Sequence, residues 1–289
     1  MWKTLLKCVV SGAVLAGLFM ITDTSAIAQR LGEADVFWLG VTLICLTILT
    51  LLMAKRWQMA AHALDLDLGY GRAVREYYLA QLINMVLPGG VAGDAARAVR
   101  LRNEGDLIRA AQSVVLERLI GQFAMFSLLF GGFVVVLVVP GGVAWPAFSW
   151  AILAITLVVA GAGFFAARRN TTVAKFMTLA AQLIRQPLQI ALSVIIALLT
   201  SAGFYASAKA TGTTLPLSTL FTLIPLVLTA MLIPLSIGGW GWREGAAAAL
   251  FPFAGASASA GIATGIAYGA MLLIAALPAL ILMVIPTSK

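Results

Sequence analysis

Charge is what this sequence has least of. Only 10% of its 289 residues are Asp, Glu, Lys or Arg, and 62% are hydrophobic. Soluble domains carry about 25% charged residues, so there is too little polar sequence here to coat a water-soluble globule. Histidine and cysteine are also scarce: His62 stands in a polar connection, and Cys8 and Cys45 lie within apolar runs. A metal centre needs several such ligands, and two buried thiols imply no disulfide framework. No metal or cofactor is therefore expected. The sequence contains no G-x-S-x-G, no H-E-x-x-H and no P-loop GK[ST], so no catalytic residue is assigned and nucleotide-driven work is excluded. Strands that alternate apolar and polar residues are missing too, which excludes a β-barrel.

What remains is a chain of long apolar runs, near residues 3–22, 36–54, 108–139, 147–167, 188–208 and 257–285. Runs of this length read as membrane-spanning helices. The first ends in an Ala-x-Ala pattern at Ala28, as a signal peptide would. Its apolar core, residues 5–21, is longer than a signal peptide needs, and an uncleaved first span is expected. The net charge is +8, but its distribution points to topology and not to nucleic acid. Lys3 and Lys7, Lys55 through Arg75, Arg97 through Arg109, Arg168 through Arg185 and Lys289 all fall on one side if the N-terminus is cytoplasmic, leaving Arg30 and Lys209 outside. That is the positive-inside bias, and it places both termini in the cytoplasm.

This accounting works only if two segments, about 76–105 and 217–252, enter the membrane and return on the side they came from. Each has a break in its middle: Pro88, Gly89, Gly90 and Gly93 in the first, Pro234, Gly238, Gly239 and Gly241 in the second. Non-helical backbone at membrane depth is tolerated only inside protein or beside a wet cavity. The expected fold is all-α, a polytopic integral membrane protein of six full spans plus two oppositely oriented re-entrant helical hairpins. It forms a single domain over 1–289, with inverted halves about 1–140 and 141–289. Met85-Val86-Leu87-Pro88 and Met231-Leu232-Ile233-Pro234 echo each other locally. Inverted repeats with broken helices place transport sites between the halves.

The charges at the breaks are the candidate site. Asp94 is either the N-cap of a restarting helix or a substrate ligand. Arg97 and Arg100, three apart, share a helix face, and either anchor to headgroups or serve the site. Glu117 and Arg118 form a charge pair inside a span, structural or headgroup-binding, with Gln122 one turn on. Gly238, Gly239 and Gly241 precede Arg243 and Glu244; a helix starting near Trp240 would aim its N-terminus at an anion. Arg243 and Glu244 either bind a phosphate and an amine, or pair with each other. Trp240 and Trp242 read as interfacial belt residues.

The stretches "NMVLPGGVAGDAARAVRL", "ERLIG" and "PLSIGGWGWREGA" resemble, in order and spacing over essentially the whole chain, the transmembrane flippase-like family of lysylphosphatidylglycerol synthases, which includes the membrane domain of the multiple peptide resistance factors and stand-alone relatives. The resemblance implies paired re-entrant segments and movement of a lipid between leaflets of the bacterial inner membrane. The family's motif positions map onto Asn84, Pro88, Gly90, Asp94, Arg97, Glu117, Arg118, Gly238, Gly239, Arg243 and Glu244. Full synthases append a soluble aminoacyl-transferring domain. The sequence stops at Lys289, so it is expected not to make lysylphosphatidylglycerol and not to be an enzyme. The expected function is translocation of a polar-headgroup lipid: a phospholipid, an aminoacyl-phospholipid, or a glycosylated or isoprenoid lipid. The alternatives are an intramembrane lipid-modifying transferase, or an accessory subunit partnering a lipid synthase or glycosyltransferase.

Overall fold

The computed structural model describes residues 22–87, 91–102, 106–138, 168–232 and 238–284, with isolated positions between 17 and 20 and between 154 and 165. The expected spans 3–22 and 147–167, both termini, and Pro88, Gly89, Gly90 and Pro234 fall wholly or largely outside the described residues. Among those residues all regular structure is helical. The elements are α1 (Thr24–Gly32), α2 (Val36–His62), α3 (Tyr70–Val86), α4 (Ala92–Leu101), α5 (Leu107–Val138), α6 (Thr171–Ile184), α7 (Pro187–Ala210), α8 (Leu223–Thr229), α9 (Trp242–Leu250), α10 (Ala258–Ala276) and α11 (Pro278–Val284). Single 3₁₀ turns at Leu217–Leu220, Ala230–Leu232 and Phe251–Ala254 join some of them.

Four of the described helical stretches are long and apolar enough to cross a membrane: Val36–His62, Leu107–Val135, Pro187–Ala210 and Ala258–Val284. They match four of the expected runs, with two differences. α2 continues eight residues past the expected end, because Arg56, Trp57 and Gln58 are buried inside the protein and not released to a polar loop. The last span is interrupted at Leu277, where Pro278 opens a new helix and its ring prevents continuation of the hydrogen-bond ladder. Large apolar side chains such as Phe123, Phe130 and Val134 on α5, Val194 on α7 and Ile281 on α11 are exposed. A bilayer, not water, suits that surface.

Helix starts follow local chemistry. Asp23 caps α1 by accepting from the N–H of Ser25 and Ala26 at 3.0 and 3.1 Å. The Asp35 carboxylate caps α2 at the Phe37 N–H, 2.8 Å, and its own N–H donates to the Ala210 carbonyl at 2.9 Å. That last bond ties the start of α2 to the end of α7, so the two run antiparallel. Small residues let them approach: Thr42 Oγ1 lies 3.2 Å from the Gly203 carbonyl and 3.1 Å from Ser207 Oγ. Such small-residue seams replace the hydrophobic drive that lipid removes. α10 adds a third wall against α2 and α7, and α5 a fourth. Phe204, Phe251 and Tyr268 pack edge to face in the core between them.

The four remaining helices that matter for the site are short. α3 and α4 pack on each other and on α2 and α5. α8 and α9 pack together, and α9 lies along α10. α10 presents Gly261, Gly265 and Gly269 at a spacing of four, and the Ala247 backbone, Glu244 and Arg243 of α9 lie directly over them in turn.

Candidate functional site

Asn84, Asp94, Arg97, Glu117 and Arg118 come together from three helices. α4 begins at Ala92, with Val91 in the N-cap position and no side-chain cap. Asp94 thus lies in the first turn of the helix and caps nothing; its carboxylate is free for side chains. Asn84, near the end of α3, bridges the break: its Oδ1 accepts from the Gly93 N–H at 2.7 Å, and its amide lies 3.5 Å from Asp94 Oδ2. Gly93 is required there because its Cα sits against the backbone of Ala80, with no room for a Cβ.

Arg97 is fully buried. Its Nε donates to Asp94 Oδ1 and its Nη2 to Glu117 Oε2, both at 3.0 Å. Its guanidinium lies 4.7 Å from the ring centres of both Trp57 and Tyr77, a favourable cation–π sandwich in a desolvated place. Anchoring to the membrane surface is ruled out for this residue. Arg100, on the same helix, pairs instead with Glu76 and stays partly exposed. Glu117 also accepts from Arg56 Nη2 at 2.6 Å and lies 3.4 Å from the Tyr77 hydroxyl. The expected Glu117–Arg118 pair does not form. Arg118 turns the other way, to Asp94 Oδ2 at 2.5 Å, with 42% of its side chain exposed. Three guanidinium groups therefore share two carboxylates.

Arg56, Trp57 and Tyr77 were not expected at the site. Arg56 reads in sequence as one more cytoplasmic cation. The signal that could have found it is Gly121, one turn beyond Glu117, whose missing side chain makes room for the Arg56 guanidinium.

Arg243 and Glu244 form a second cluster. Both are fully buried, and they pair with each other, Nε to Oε1 at 2.9 Å. Trp240 and Tyr268 flank the guanidinium at 5.1 and 5.8 Å, so Trp240 is a stacking partner and not a belt residue. α9 starts at Trp242, and Glu244 Oε2 takes the Gly241 N–H at 2.6 Å. Part of the helix N-terminus expected to receive an anion is thus already capped from within. Gly238, Gly239 and Gly241 all have positive φ, 54°, 84° and 88°, a conformation that only glycine adopts freely.

Gly238 of the second break reaches the end of α3. It lies against the backbone and sulfur of Met85, just before the first break. Beside this contact opens a cavity of about 770 Å³, within the usual range for a small-molecule site. Its wall includes Arg56, Tyr77, Asn84, Asp94 and Arg118 from the first half and Gly238, Gly239 and Tyr268 from the second. Arg243 and Glu244 do not line it. Among the described residues no group of His, Cys, Asp and Glu could hold a metal ion.

Residues 4–279 match the family model described as the lysylphosphatidylglycerol synthase TM region. The chain belongs to that family. No curated protein matches it well enough to lend it a more specific activity. Membership assigns this transmembrane region a lipid-related role in the membrane, and Arg56, Asp94 and Arg118 come together on the wall of the cavity.

Proposed function

We propose that this member of the family carries a polar-headgroup lipid between the two leaflets, with the headgroup in the cavity and the tail left in the bilayer. The observation that supports it is the composition of the one wall. Half-exposed Arg118 and Arg56, with its buried, unpartnered Nη1, line the same cavity as apolar residues such as Leu228 and Leu272 from the second half. An ionised group alone in hydrocarbon costs at least about 2.5 kcal/mol on insertion scales. Guanidinium donors, which match phosphate oxygens in a planar fork, replace the water that a phosphate leaves behind.

In this reading α3–α4 and residues 217–252 are re-entrant hairpins from opposite faces, between six spans. Lys55 and Arg56 stand near one end of α2 and Asp35 at the other, where α7 ends in Lys209 and Ala210. Taking the Lys55 end as cytoplasmic puts both chain termini there, in a bacterial inner membrane. Transport, not catalysis, fits the carboxylates: Asp94 and Glu117 are each held by two arginines, so neither is placed as a free general base.

Purified protein in liposomes with a fluorescent acyl-labelled phospholipid tests this. Dithionite added outside quenches only the outer leaflet of protein-free vesicles. The protein should expose the inner-leaflet pool as well, with no new lipid product by mass spectrometry. An unchanged inner pool defeats the transport reading, and a new product would move the assignment to a transferase.

A further inference from the structure

The sequence has eleven acidic residues, and the described structure leaves none to receive a cationic headgroup in the cavity. Glu117 serves Arg56 and Arg97, Asp94 serves Arg97 and Arg118, Glu244 serves Arg243, and Glu76 serves Arg100. Asp23, Asp35 and Asp106 accept from the first N–H groups of their helices, and Glu33 accepts from Gln29. Asp65 and Asp67 sit in the turn between α2 and α3, and Glu104 lies outside the described residues. Asp94 is the only carboxylate among the described residues of the cavity wall, and both its oxygens are occupied by arginine.

The positive side is not balanced. Arg56 Nη1 and Arg118 Nε are shut off from water and have no hydrogen-bond partner, and both residues line the cavity. Around them the wall carries neutral hydrogen-bonding groups: Asn84, Gln81, Gln122 and Thr200. Gln122 is one helical turn from Arg118 on α5, so a group held by the arginine is within reach of the amide.

We infer that the cavity selects an anionic headgroup that also bears hydroxyls, a polyol or sugar phosphate, and rejects a cationic aminoacyl headgroup; this rests on the transport reading above. The phosphate meets Arg118 and Arg56. The hydroxyls meet the glutamines, Asn84 and Thr200, which can donate and accept without adding charge. A lysyl group would bring ammonium charge beside guanidinium groups already in excess, with no free carboxylate among the described residues of the wall to receive it.

The liposome assay with three acyl-labelled lipids tests the inference: phosphatidylglycerol, which has phosphate and hydroxyls; phosphatidic acid, which has phosphate alone; and lysyl-phosphatidylglycerol, which carries the amines. Phosphatidylglycerol should move at least roughly 10-fold faster than the lysyl lipid, given the cost of like charges brought together, and faster than phosphatidic acid. Gln122→Leu should narrow the gap between phosphatidylglycerol and phosphatidic acid. A lysyl lipid that moves as fast as phosphatidylglycerol overturns the charge selection. Equal rates for phosphatidylglycerol and phosphatidic acid overturn the hydroxyl selection, as does a gap that Gln122→Leu leaves intact. If none of the three outpaces protein-free vesicles, transport itself is wrong and not merely its selectivity.

Discussion

Arg97 and Arg243 invite comparison. Both are fully buried, both follow a helix break by a few residues, and both lie against two aromatic rings. Their partners differ. Arg243 has one carboxylate, on the next residue, and the pair is sealed over Gly265 and Gly269 of α10. Arg97 shares two carboxylates with two other arginines, and through Asp94 and Arg118 that network reaches a cavity. The closed cluster is neutral and local; the open one has excess positive charge and joins α2, α4 and α5. A buried pair whose charges cancel and which lines no cavity does structural work, whereas a network that ends on an exposed arginine has somewhere to hand a ligand.

The sharpest way to break this contrast is Glu117→Leu, which strands Arg56 and leaves Arg97 with Asp94 alone. Removing one member of a buried ion pair costs about 3–5 kcal/mol, and here Arg56 loses its carboxylate while Arg97 loses one of its two, so the protein should fail to accumulate as a monodisperse detergent-solubilised species. A variant of normal thermal stability would show that the network is not the keystone of the first half.

Arg243→Ala should cost somewhat less, within the same range of about 3–5 kcal/mol, since it strands only Glu244. The double variant Arg243→Met with Glu244→Gln should return to within about 1 kcal/mol of the parent, as replacing a buried pair by well-packed neutral groups is often harmless. It should also keep lipid movement, because neither residue lines the cavity. A well-folded double variant that moves no lipid would bring the second cluster back into the site.

Gly93→Ala and Gly269→Ala compare the close packing around the two clusters. The new Cβ of Gly93→Ala meets the Ala80 backbone, which cannot yield, whereas that of Gly269→Ala meets chiefly the end of the Arg243 side chain. Overpacking of this kind costs about 1–3 kcal/mol, and the melting temperature should fall more for Gly93→Ala than for Gly269→Ala.

Arg118→Gln should be the mildest in stability, under about 1 kcal/mol, because the pair with Asp94 is partly solvated. Its lipid transport should nevertheless drop about 10-fold or more, the loss of a charged hydrogen bond to phosphate. Wild-type transport in this variant would remove Arg118 from the headgroup site.

Much of this was legible in the sequence. Apolar length identified α2, α5, α7 and the Ala258–Val284 stretch, and Pro and Gly marked where helices stop. Asp94, Arg97, Glu117 and Arg118 were recognisable because charge is rare in so apolar a chain, and Asn84 only through the resemblance to the family's motif. Arg56 was not, since a cation at the end of a span has an ordinary topological meaning. Tyr77 and Trp57 carried no signal at all until Arg97 was seen between them.

By itself the sequence determined the all-helical membrane architecture, the family and the two breaks. These follow from run length and from backbone freedom, which are properties of neighbouring residues. Only the tertiary structure decided which charges are partners. Adjacent residues on a helix point about 100° apart, so Glu117 turns to Arg56 and Arg97 while Arg118 turns to Asp94 and the cavity. Arg243 and Glu244, also adjacent, find each other instead because α9 presses both against the glycine stripe of α10. Spacing along the chain cannot separate these cases, since the outcome depends on which helix happens to stand opposite.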